Sequence, residues 1–367
     1  MENISVIIVT YNHKEHIKKC LDSIFKNDKN LDVIIVDNNS IDGTPDLIKD
    51  AFPEVNLVKN PQNSGYGSAV NLGVKYSKKE YIVILNPDVT VETNFIEELV
   101  KPITKNKYLV TTPKALLYDG SKINTCGNIE HFTGLAFTLG LGKDKEELSD
   151  SKFISGLSGV CFAITRSLYL EIGGFDENIF LYMEDTEISW NINSRGLKIL
   201  YVPSAVIYHD YELVVHAEKI YYLEKGRYII LKKYFTWKEY LMFAPSLIIA
   251  ELFTVGYSLL KGTEGFKFKM QAIKDSVNSD VEKVECNRRE LINSFEWKMP
   301  EGQLSYNFLD RFVRKLGNLI FFINYNLIRT LCQLRSQDIE ILDIQEGKLD
   351  EYPVALITET TDKKMGK

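Results

Sequence analysis

The sequence predicts an α/β protein with a mainly parallel sheet flanked by helices. Four short apolar runs rich in β-branched residues occur in the first ninety residues, and a segment with helical periodicity separates each run from the next. Polar, turn-forming residues bound every run. This alternation is typical of βαβ units, whose parallel strands are covered by helices on both faces.

The elements follow one another in a simple order along the chain. The predicted strands are 4–9, 31–36, 55–58 and 81–85, and the predicted helices are 16–25, 45–52 and 68–76. A mixed region at 101–150 precedes a second ordered block at 153–208, and long helices are expected beyond residue 216, where glycine turns thin out. The predicted domains are therefore an α/β domain at 1–215, a helical region at 216–335 and a tail at 336–367.

Composition excludes several functional classes. The 367 residues are 45% hydrophobic and 26% charged, which is enough apolar material for a large core. A net charge of −6 argues against a nucleic-acid-binding protein. The five cysteines, at 20, 126, 161, 286 and 332, contain no close pair, and the chain opens without a signal-peptide pattern. We therefore expect a cytoplasmic protein without a disulfide framework.

Polar residues follow the first two predicted strands, where ligands of parallel sheets bind. Thr10, Tyr11 and Asn12 follow the first strand without the glycine-rich turn that a nicotinamide dehydrogenase needs. Taken alone, they are also a plausible turn and helix cap. Asp37 and Asn39 follow the second strand, and a carboxylate at this point can accept hydrogen bonds from a base or a ribose.

Two further segments allow both a structural and a functional interpretation. Asn63, Gly65 and Gly67 precede the helix that carries Asn71, and the glycines fit either close approach of an anion or tight packing of the helix start. Asn86-Pro87-Asp88 follows the fourth strand. The carboxylate of Asp88 suits a divalent cation, although a lone Asp at this position is more often a turn residue.

The second ordered block adds acids and a histidine. Glu184 and Asp185 begin a helix whose apolar side is expected to be buried, so they form either a solvated helix start or a site that accepts a proton from a hydroxyl group. His209 ends the last strand-like run. As an isolated residue it would be an ordinary side chain, and as a neighbour of Asp88 it would be a metal ligand.

Taken together, these motifs resemble family 2 glycosyltransferases of the GT-A fold. The resemblance rests on residues 4–12, 36–44, 63–71, 85–88, 173–177 and 184–185, in this order and spacing, and it spans about residues 4–209. Leu85-Asn86-Pro87-Asp88 resembles the rhamnosyltransferase-like branch.

The resemblance implies an inverting transfer of a sugar, with rhamnose as one candidate, from a dTDP- or UDP-linked donor to a hydroxyl of a polysaccharide or lipid-linked glycan. Such an enzyme acts in cell-envelope polysaccharide biosynthesis and uses Mg²⁺ or Mn²⁺. Asp185, with Glu184, would be catalytic, and Asp88 and His209 would bind the metal. The implied donor-binding residues are Thr10, Tyr11, Asn12, Asp37, Asn39, Asn63, Gly65, Gly67, Asn71, Asn86 and Asp88, and the implied acceptor-binding residues are Gly159, Trp190 and Arg195.

Two positions depart from the family pattern. Asn86 stands where many members have an Asp, and Asn191 stands where many have an Arg, so Arg195 is expected to take over an anion contact. These departures leave open a non-catalytic subunit that binds nucleotide sugar or acts as a scaffold. A nucleotidyltransferase is disfavoured, because residues 11–15 lack a glycine-rich basic loop.

An apolar stretch of 21 residues at 240–260 is long enough to span a bilayer, but it contains Pro245 and Glu251. Flanking lysines favour a helix lying on an anionic membrane face over a spanning helix or a helix packed on the α/β domain. We therefore expect a peripheral protein on the inner face of the cell membrane. Residues 318–332 are either a second such element or a contact in a homo-oligomer.

Overall fold

A computed structural model describes residues 2–210, 216–300 and 308–334, and the predicted tail at 336–367 lies outside them. The strands are β1 Ile4–Thr10, β2 Asp32–Asp37, β3 Asn56–Lys59, β4 Tyr81–Leu85, β5 Val89–Val91, β6 Leu109–Leu117, β7 Ile123–Thr125, β8 Asn128–Glu130, β9 Ala136–Thr138, β10 Lys152–Ile154, β11 Cys161–Thr165 and β12 Lys198–His209. The four strands predicted within the first ninety residues are confirmed.

The helices confirm the predicted alternation. They are α1 Lys14–Asn27, α2 Thr44–Ala51, α3 Tyr66–Tyr76, α4 Phe95–Lys105, α5 Arg166–Glu171, α6 Glu184–Ser194, α7 Ala217–Tyr234, α8 Trp237–Leu260, α9 Gly262–Asn278, α10 Arg288–Ser294 and α11 Phe308–Leu334. The three predicted helices correspond to α1, α2 and α3, each within a few residues at its ends.

The central sheet has the strand order β10-β12-β6-β11-β4-β1-β2-β3. β3, β2, β1 and β4 are parallel to one another, and β6 is parallel to β12. β11 runs antiparallel between β4 and β6, a direction that an apolar run cannot encode. Because Cys161 pairs with Leu85, the loop before β11 lies at the edge where β4 ends. The predicted α/β class is confirmed, and β11 adds a second segment to that edge.

Strand side chains alternate between two helical layers, as the two-residue period of a strand requires. Ile8, Ile35 and Val83 pack with α1, α2 and α4 on one face. Ile7 and Ile84 pack with α3, α5 and α6 on the other face. The sheet is thus buried on both sides, which explains why its central strands are almost wholly apolar.

The helices beyond residue 216 share a third core with the α/β part. Phe132 and Trp190 pack there with Ile229 of α7, Phe243 of α8 and Phe321 of α11. Met183, the residue before α6, belongs to the same core and packs against Gly226 of α7, so α7 lies beside the start of α6. The predicted domain division at 215 stays a prediction.

Glu251, the carboxylate within the apolar stretch, faces inward from α8. Its oxygens lie 2.5 Å from Nη2 of Arg227 and 2.8 Å from Nζ of Lys269. Burial alone would raise the pKa of Glu251, but these cations outweigh it and lower the pKa to about 2. The ion pairs anchor α8 to α7 and α9.

Candidate functional site

Hydrogen bonds join the polar residues at the end of β1 and in the loop after it to those at the end of β2 and in the loop that follows. Asp37 is buried; its Oδ1 accepts a hydrogen bond from Thr10 Oγ1 (3.2 Å) and its Oδ2 accepts one from the amide of Ser40 (3.1 Å). Asn12 Oδ1 accepts the amide of Ile41 at 2.9 Å. Tyr11 and Asn39 are exposed at the same edge. The structure therefore brings these five predicted donor-binding residues together.

The glycines before α3 serve close packing within the protein. A Cβ on Gly65, whose φ is +86°, would lie 2.4 Å from the carbonyl oxygen of Phe180, and one on Gly67 would lie 2.8 Å from Cβ of Phe175. Asn63 Oδ1 accepts the amide of Gly65 at 3.0 Å. The structure therefore supports tight packing of the helix start over close approach of an anion. The loop still borders the sheet edge where Asp37 and Asn12 lie.

The side chain of Asn71 forms hydrogen bonds within the protein. Its Nδ2 donates to the carbonyl of Phe175 (2.9 Å), and its Oδ1 accepts from the hydroxyl of Tyr169 (2.6 Å) and from the amide of Phe175 (3.0 Å). These bonds use the amide group to join α3 to the loop at 173–177. The protein itself thus satisfies the side chain of Asn71, and its contact with a nucleotide sugar stays a prediction.

Asp88 and His209 meet at the end of the sheet. β5 pairs with β12 so that Val89 lies opposite His209, and Oδ1 of Asp88 is 3.4 Å from Nε2 of His209. Nδ1 of His209 lies 2.9 Å from Oδ1 of Asn124. Burial alone would raise the pKa of Asp88, but the imidazole of His209, helped by His13, makes the net shift downward. The carboxylate is thus held in its charged form.

The donor set fits a hard divalent cation whose remaining ligands are water and phosphate oxygens. Oδ1 of Asp88 and Oδ1 of Asn86 are buried atoms without a hydrogen-bond donor among the described residues. Such oxygens, beside an imidazole nitrogen, suit Mg²⁺ or Mn²⁺. Within that part of the chain no three His, Cys, Asp or Glu side chains converge to form a complete cage, so a bound nucleotide would have to complete the site.

Asp185 lies half-buried at the start of α6, with defined partners. Its Oδ2 accepts hydrogen bonds from Nδ2 of Asn128 (2.8 Å) and from the amide of Gly159 (3.2 Å), and its Oδ1 accepts the amide of Thr186 (2.9 Å). Burial raises the pKa of Asp185, while these donors oppose the rise. A carboxylate oriented in this way can accept a proton from a hydroxyl placed within hydrogen-bond reach.

Glu184 has a different environment. It is buried, and its Oε2 has no hydrogen-bond partner among the residues that the structure describes. Burial, followed by the charge of Asp185, raises the pKa of Glu184 to about 8. At neutral pH Glu184 therefore keeps its proton, beside the carboxyl group of Asp185.

We expect Glu184→Gln to make the protein more stable at alkaline pH. From the ordinary pKa of 4.5 up to about 8, the unfolded chain loses the Glu184 proton that the folded protein keeps. Stability therefore falls as pH rises through this window. Melting temperatures measured between pH 5 and pH 9 should fall less in the variant than in the unchanged protein. Parallel curves for the two proteins would show that Glu184 does not titrate in this range.

A short chain of contacts connects Asp88 with Asp185. The amide of Asn86 donates to the carbonyl of Val160 (2.9 Å), and the amide of the preceding residue, Gly159, donates to Asp185. Tyr66 donates its hydroxyl to the carbonyl of Gly159 (3.1 Å). After burial, the charges of Glu184 and Asp88 both contribute to the raised pKa of Tyr66. The two acids thus lie on either side of one loop, at the same sheet edge.

Two predicted acceptor-binding residues, Trp190 and Arg195, lie away from Asp185, and their acceptor contacts stay predictions. Trp190 is fully buried, and its Nε1 donates to Oε2 of Glu130 (3.2 Å), since five residues along a helix turn it away from Asp185. Arg195 caps the far end of α6, about 15 Å along the helix axis. It binds Oδ1 of Asn191 there (2.9 Å), so it cannot reach a hydroxyl at Asp185. Gly159 remains beside Asp185.

The sequence did not predict β8, the strand that carries Glu130 and the Asn128 that donates to Asp185. Asn128 and Glu130 are two apart on β8 and therefore point the same way, towards α6. The fully buried Glu130 has a strongly raised pKa because of burial and the charge of Asp185. Their region had only a mixed pattern, and a three-residue strand gives no periodicity that would single out these side chains.

Comparison with known proteins finds related sequences. Residues 5–173 match the family model described as glycosyl transferase family 2. N-acetylglucosaminyl-diphospho-decaprenol L-rhamnosyltransferase of Mycobacterium tuberculosis is 27% identical over 232 residues, which are 56% of this chain and 75% of that protein. Rhamnosyltransferase WbbL of Escherichia coli K12 is 22% identical over 240 residues, covering 61% and 89%.

A solved structure shows the same fold. The crystal structure of GalNAc-T7 with UDP, GalNAc and Mn²⁺ superposes with a TM-score of 0.55 at 20% identity. The match covers 74% of this chain and 55% of that one, so this chain spans about half of that protein's length. The α/β part has the GT-A architecture, and its residues 5–173 are similar to family 2 glycosyltransferases, with rhamnosyltransferases among the matching relatives.

Proposed function

We propose that the protein transfers a sugar, with inversion, from a nucleoside diphosphate to a hydroxyl of a glycan acceptor. One observation carries the proposal: the half-buried, hydrogen-bonded Asp185 and the Asp88–His209 pair lie at one sheet edge, on either side of the loop at 159–160. The donor would lie across Thr10, Tyr11, Asn12, Asp37, Asn39, Asn63 and Asn86.

In the proposed reaction Asp185 acts as the general base. The acceptor oxygen forms a bond to the anomeric carbon as its proton passes to Asp185, and the bond from that carbon to the diphosphate oxygen breaks. The nucleoside diphosphate leaves with the electron pair. Hydrogen bonds from Asn128 and Gly159 fix the carboxylate before the acceptor arrives.

Asp88 and His209 would hold Mg²⁺ or Mn²⁺, and the buried side-chain oxygen of Asn86, two residues before Asp88, has no hydrogen-bond partner among the described residues. When bound, such an ion stabilises charge on the diphosphate. The GalNAc-T7 structure contains UDP and Mn²⁺. Asn86 in place of a second carboxylate gives this site one less negative charge, so we expect weaker metal binding than a pair of Asp residues would provide.

The names of the relatives suggest the substrates. We propose a dTDP- or UDP-linked sugar, with rhamnose the first candidate, because two relatives are rhamnosyltransferases. One of them is named for a diphosphate-linked lipid acceptor, and a lipid-linked or polysaccharide acceptor is proposed here on that ground. Biosynthesis of a cell-envelope glycan is the corresponding process.

Donor hydrolysis tests this function without knowledge of the acceptor. The protein is incubated with a panel of dTDP-, UDP- and GDP-sugars and Mn²⁺ or Mg²⁺, and nucleoside diphosphate release is measured. We expect metal-stimulated release from one donor. Binding of a nucleotide sugar without any turnover would instead support the non-catalytic subunit that Asn86 leaves open, and absence of both would refute the proposal.

The C-terminal helices supply a surface for a membrane, which we propose as the protein's location. α8 and α11 pack side by side, with Ser246 Oγ donating to Asn324 Oδ1 (2.6 Å). In the described ranges α8 is the single helix long and apolar enough to cross a bilayer. Its ion-paired Glu251 instead favours an in-plane position. The two helices expose an apolar face made of Trp237, Leu241, Ile248, Leu252, Leu259, Phe312, Leu316, Leu319, Ile323 and Leu327.

We expect this apolar face to bind anionic vesicles. Exposed cations border it, namely Lys238, Lys261, Arg311, Lys315 and Arg329. In a flotation assay the protein should bind vesicles that contain phosphatidylglycerol and bind phosphatidylcholine vesicles much less. The double variant Leu252→Asp/Ile323→Asp should abolish flotation, while Leu170→Asp, at an exposed leucine of α5, should not.

Retained flotation in the double variant would refute the proposed membrane face. If the unchanged protein does not float but sediments as a dimer that the double variant breaks, the same face is a contact between two copies.

A further inference from the structure

An aromatic and cationic cluster borders the catalytic acids and has no role in the reaction described above. It consists of Phe180, Tyr182, Lys219 and Tyr222, which we call the aromatic shelf. The rings of Phe180 and Tyr222 stack with centroids 5.9 Å apart, and those of Tyr182 and Tyr222 are 6.4 Å apart. Nζ of Lys219 lies 4.5 Å from the centre of the Tyr182 ring. Phe180 is 37% exposed, and the other three are partly exposed.

The shelf is attached to the acids by the backbone itself. Tyr182 and Met183 directly precede Glu184, and both have positive φ, +59° and +69°. Bulky residues rarely adopt this conformation, and where they do, the surrounding structure must hold them in it. Gly226 of α7 provides this support, because a Cβ there would lie 2.6 Å from Cβ of Met183.

Phe180, at the other end of the shelf, is hydrogen-bonded to α3, which borders the proposed site of the nucleotide sugar. The carbonyl of Phe180 accepts the amide of Tyr66 at 3.0 Å, and Tyr66 begins α3. On α7, positions 219, 222 and 226 follow the spacing i, i+3 and i+7, so they share one helix face, which is turned towards the loop at 180–183. The shelf therefore spans the gap between α3 and α7, immediately beside Asp185.

Lys219 gives the shelf a cation. Burial lowers the pKa of Lys219, and the charge of Asp185 opposes that shift. No acid within residues 2–210, 216–300 and 308–334 forms an ion pair with it, and its charged group contacts the ring of Tyr182. A partly desolvated cation in this position favours an anionic ligand.

We propose that the aromatic shelf is the acceptor subsite, and that it binds a sugar bearing a phosphate or diphosphate. The apolar ring face of a sugar packs on aromatic rings, and the phosphate would be held by Lys219. The acceptor hydroxyl then lies near Asp185, on the side opposite the Asp88–His209 pair. This inference rests on the proposed function and specifies the class of acceptor.

N-acetylglucosamine 1-phosphate combines both chemical features and serves as the probe. Its binding to the full chain is measured by calorimetry in the presence of saturating nucleoside diphosphate and Mn²⁺. Tyr222→Ala and Lys219→Gln should each weaken binding about tenfold, as expected for loss of a partly desolvated contact. Tyr76→Ala, at an exposed tyrosine at the far end of α3, is the matched control and should bind normally.

Two simpler probes separate the parts of the shelf. N-acetylglucosamine should be sensitive to Tyr222→Ala and insensitive to Lys219→Gln, and inorganic phosphate should show the reverse. Tyr222→Leu, which keeps apolar volume, provides a second variant in case Tyr222→Ala does not fold. Failure of the unchanged protein to bind the sugar phosphate, or equal binding by all variants, would overturn the inference.

The nucleoside diphosphate affinity of the same variants separates this inference from the proposed function. If the shelf variants lose nucleotide binding, Lys219 belongs to the donor site and the acceptor assignment is wrong. If donor hydrolysis proceeds and the shelf variants bind the probe normally, the shelf fails while the proposed function stands. If no nucleotide sugar is bound or hydrolysed, the proposed function is refuted, and the acceptor subsite that rests on it is refuted as well.

Discussion

Asp185→Asn is expected to reduce sugar transfer by about 10²- to 10⁴-fold, the usual contribution of a positioned general base. The amide cannot accept the acceptor proton, yet it occupies the same space and can still accept a hydrogen bond from Gly159. Nucleoside diphosphate affinity should therefore change little. Initial rates of transfer from a radiolabelled donor, with nucleotide binding measured in parallel, check both statements.

Asn128→Ala is the matched control for this variant. It removes one hydrogen bond to Oδ2 of Asp185 and leaves the carboxylate in place. Because that bond lowers the pKa of Asp185, its loss should move the acidic limb of the rate profile to higher pH and should reduce the maximal rate less. Transfer at nearly the normal rate by Asp185→Asn would remove Asp185 from the role of base.

Asp88→Ala is expected to weaken Mn²⁺-dependent binding of the nucleoside diphosphate by about 100-fold, since metal stabilisation of a diphosphate contributes several kcal/mol. His209 would remain as a ligand, but an imidazole cannot replace the negative charge of the Asp88 carboxylate. Titration calorimetry with Mn²⁺ and with EDTA measures the metal-dependent part of the affinity directly.

Asp22→Ala, at an exposed carboxylate of α1, removes the same charge away from the sheet edge and should leave nucleotide binding unchanged. Equal affinities of Asp88→Ala and the unchanged protein in Mn²⁺ would show that Asp88 does not bind the metal.

Much of the fold could be predicted because its signals are local. The β-branched runs that became β1, β2, β3 and β4 are buried on both faces, so their composition identifies them without tertiary information. The position of polar residues after these strands then indicated one edge. Thr10, Asp37 and Asp88 do lie at that edge.

The remaining parts depend on contacts between segments far apart in sequence. Asn71 and Trp190 have residue types that suit a ligand site, but their partners, Phe175 and Glu130, come from distant loops and strands. Asn128 is 57 residues from Asp185 and belongs to a strand of three residues. The antiparallel direction of β11, which brings Gly159 to Asp185, likewise has no local signature.

The most direct test is a crystal of the full chain soaked with UDP or dTDP and MnCl₂, with diffraction data collected at the manganese absorption edge. We expect an anomalous peak beside Oδ1 of Asp88 and Nε2 of His209, with the diphosphate on that ion and the carboxylate of Asp185 facing the end where the sugar would be attached. A manganese peak elsewhere, or a nucleotide that lies away from the ends of β1, β2 and β4, would contradict the assignment of Asp88 and His209 to the metal and of this sheet edge to the donor.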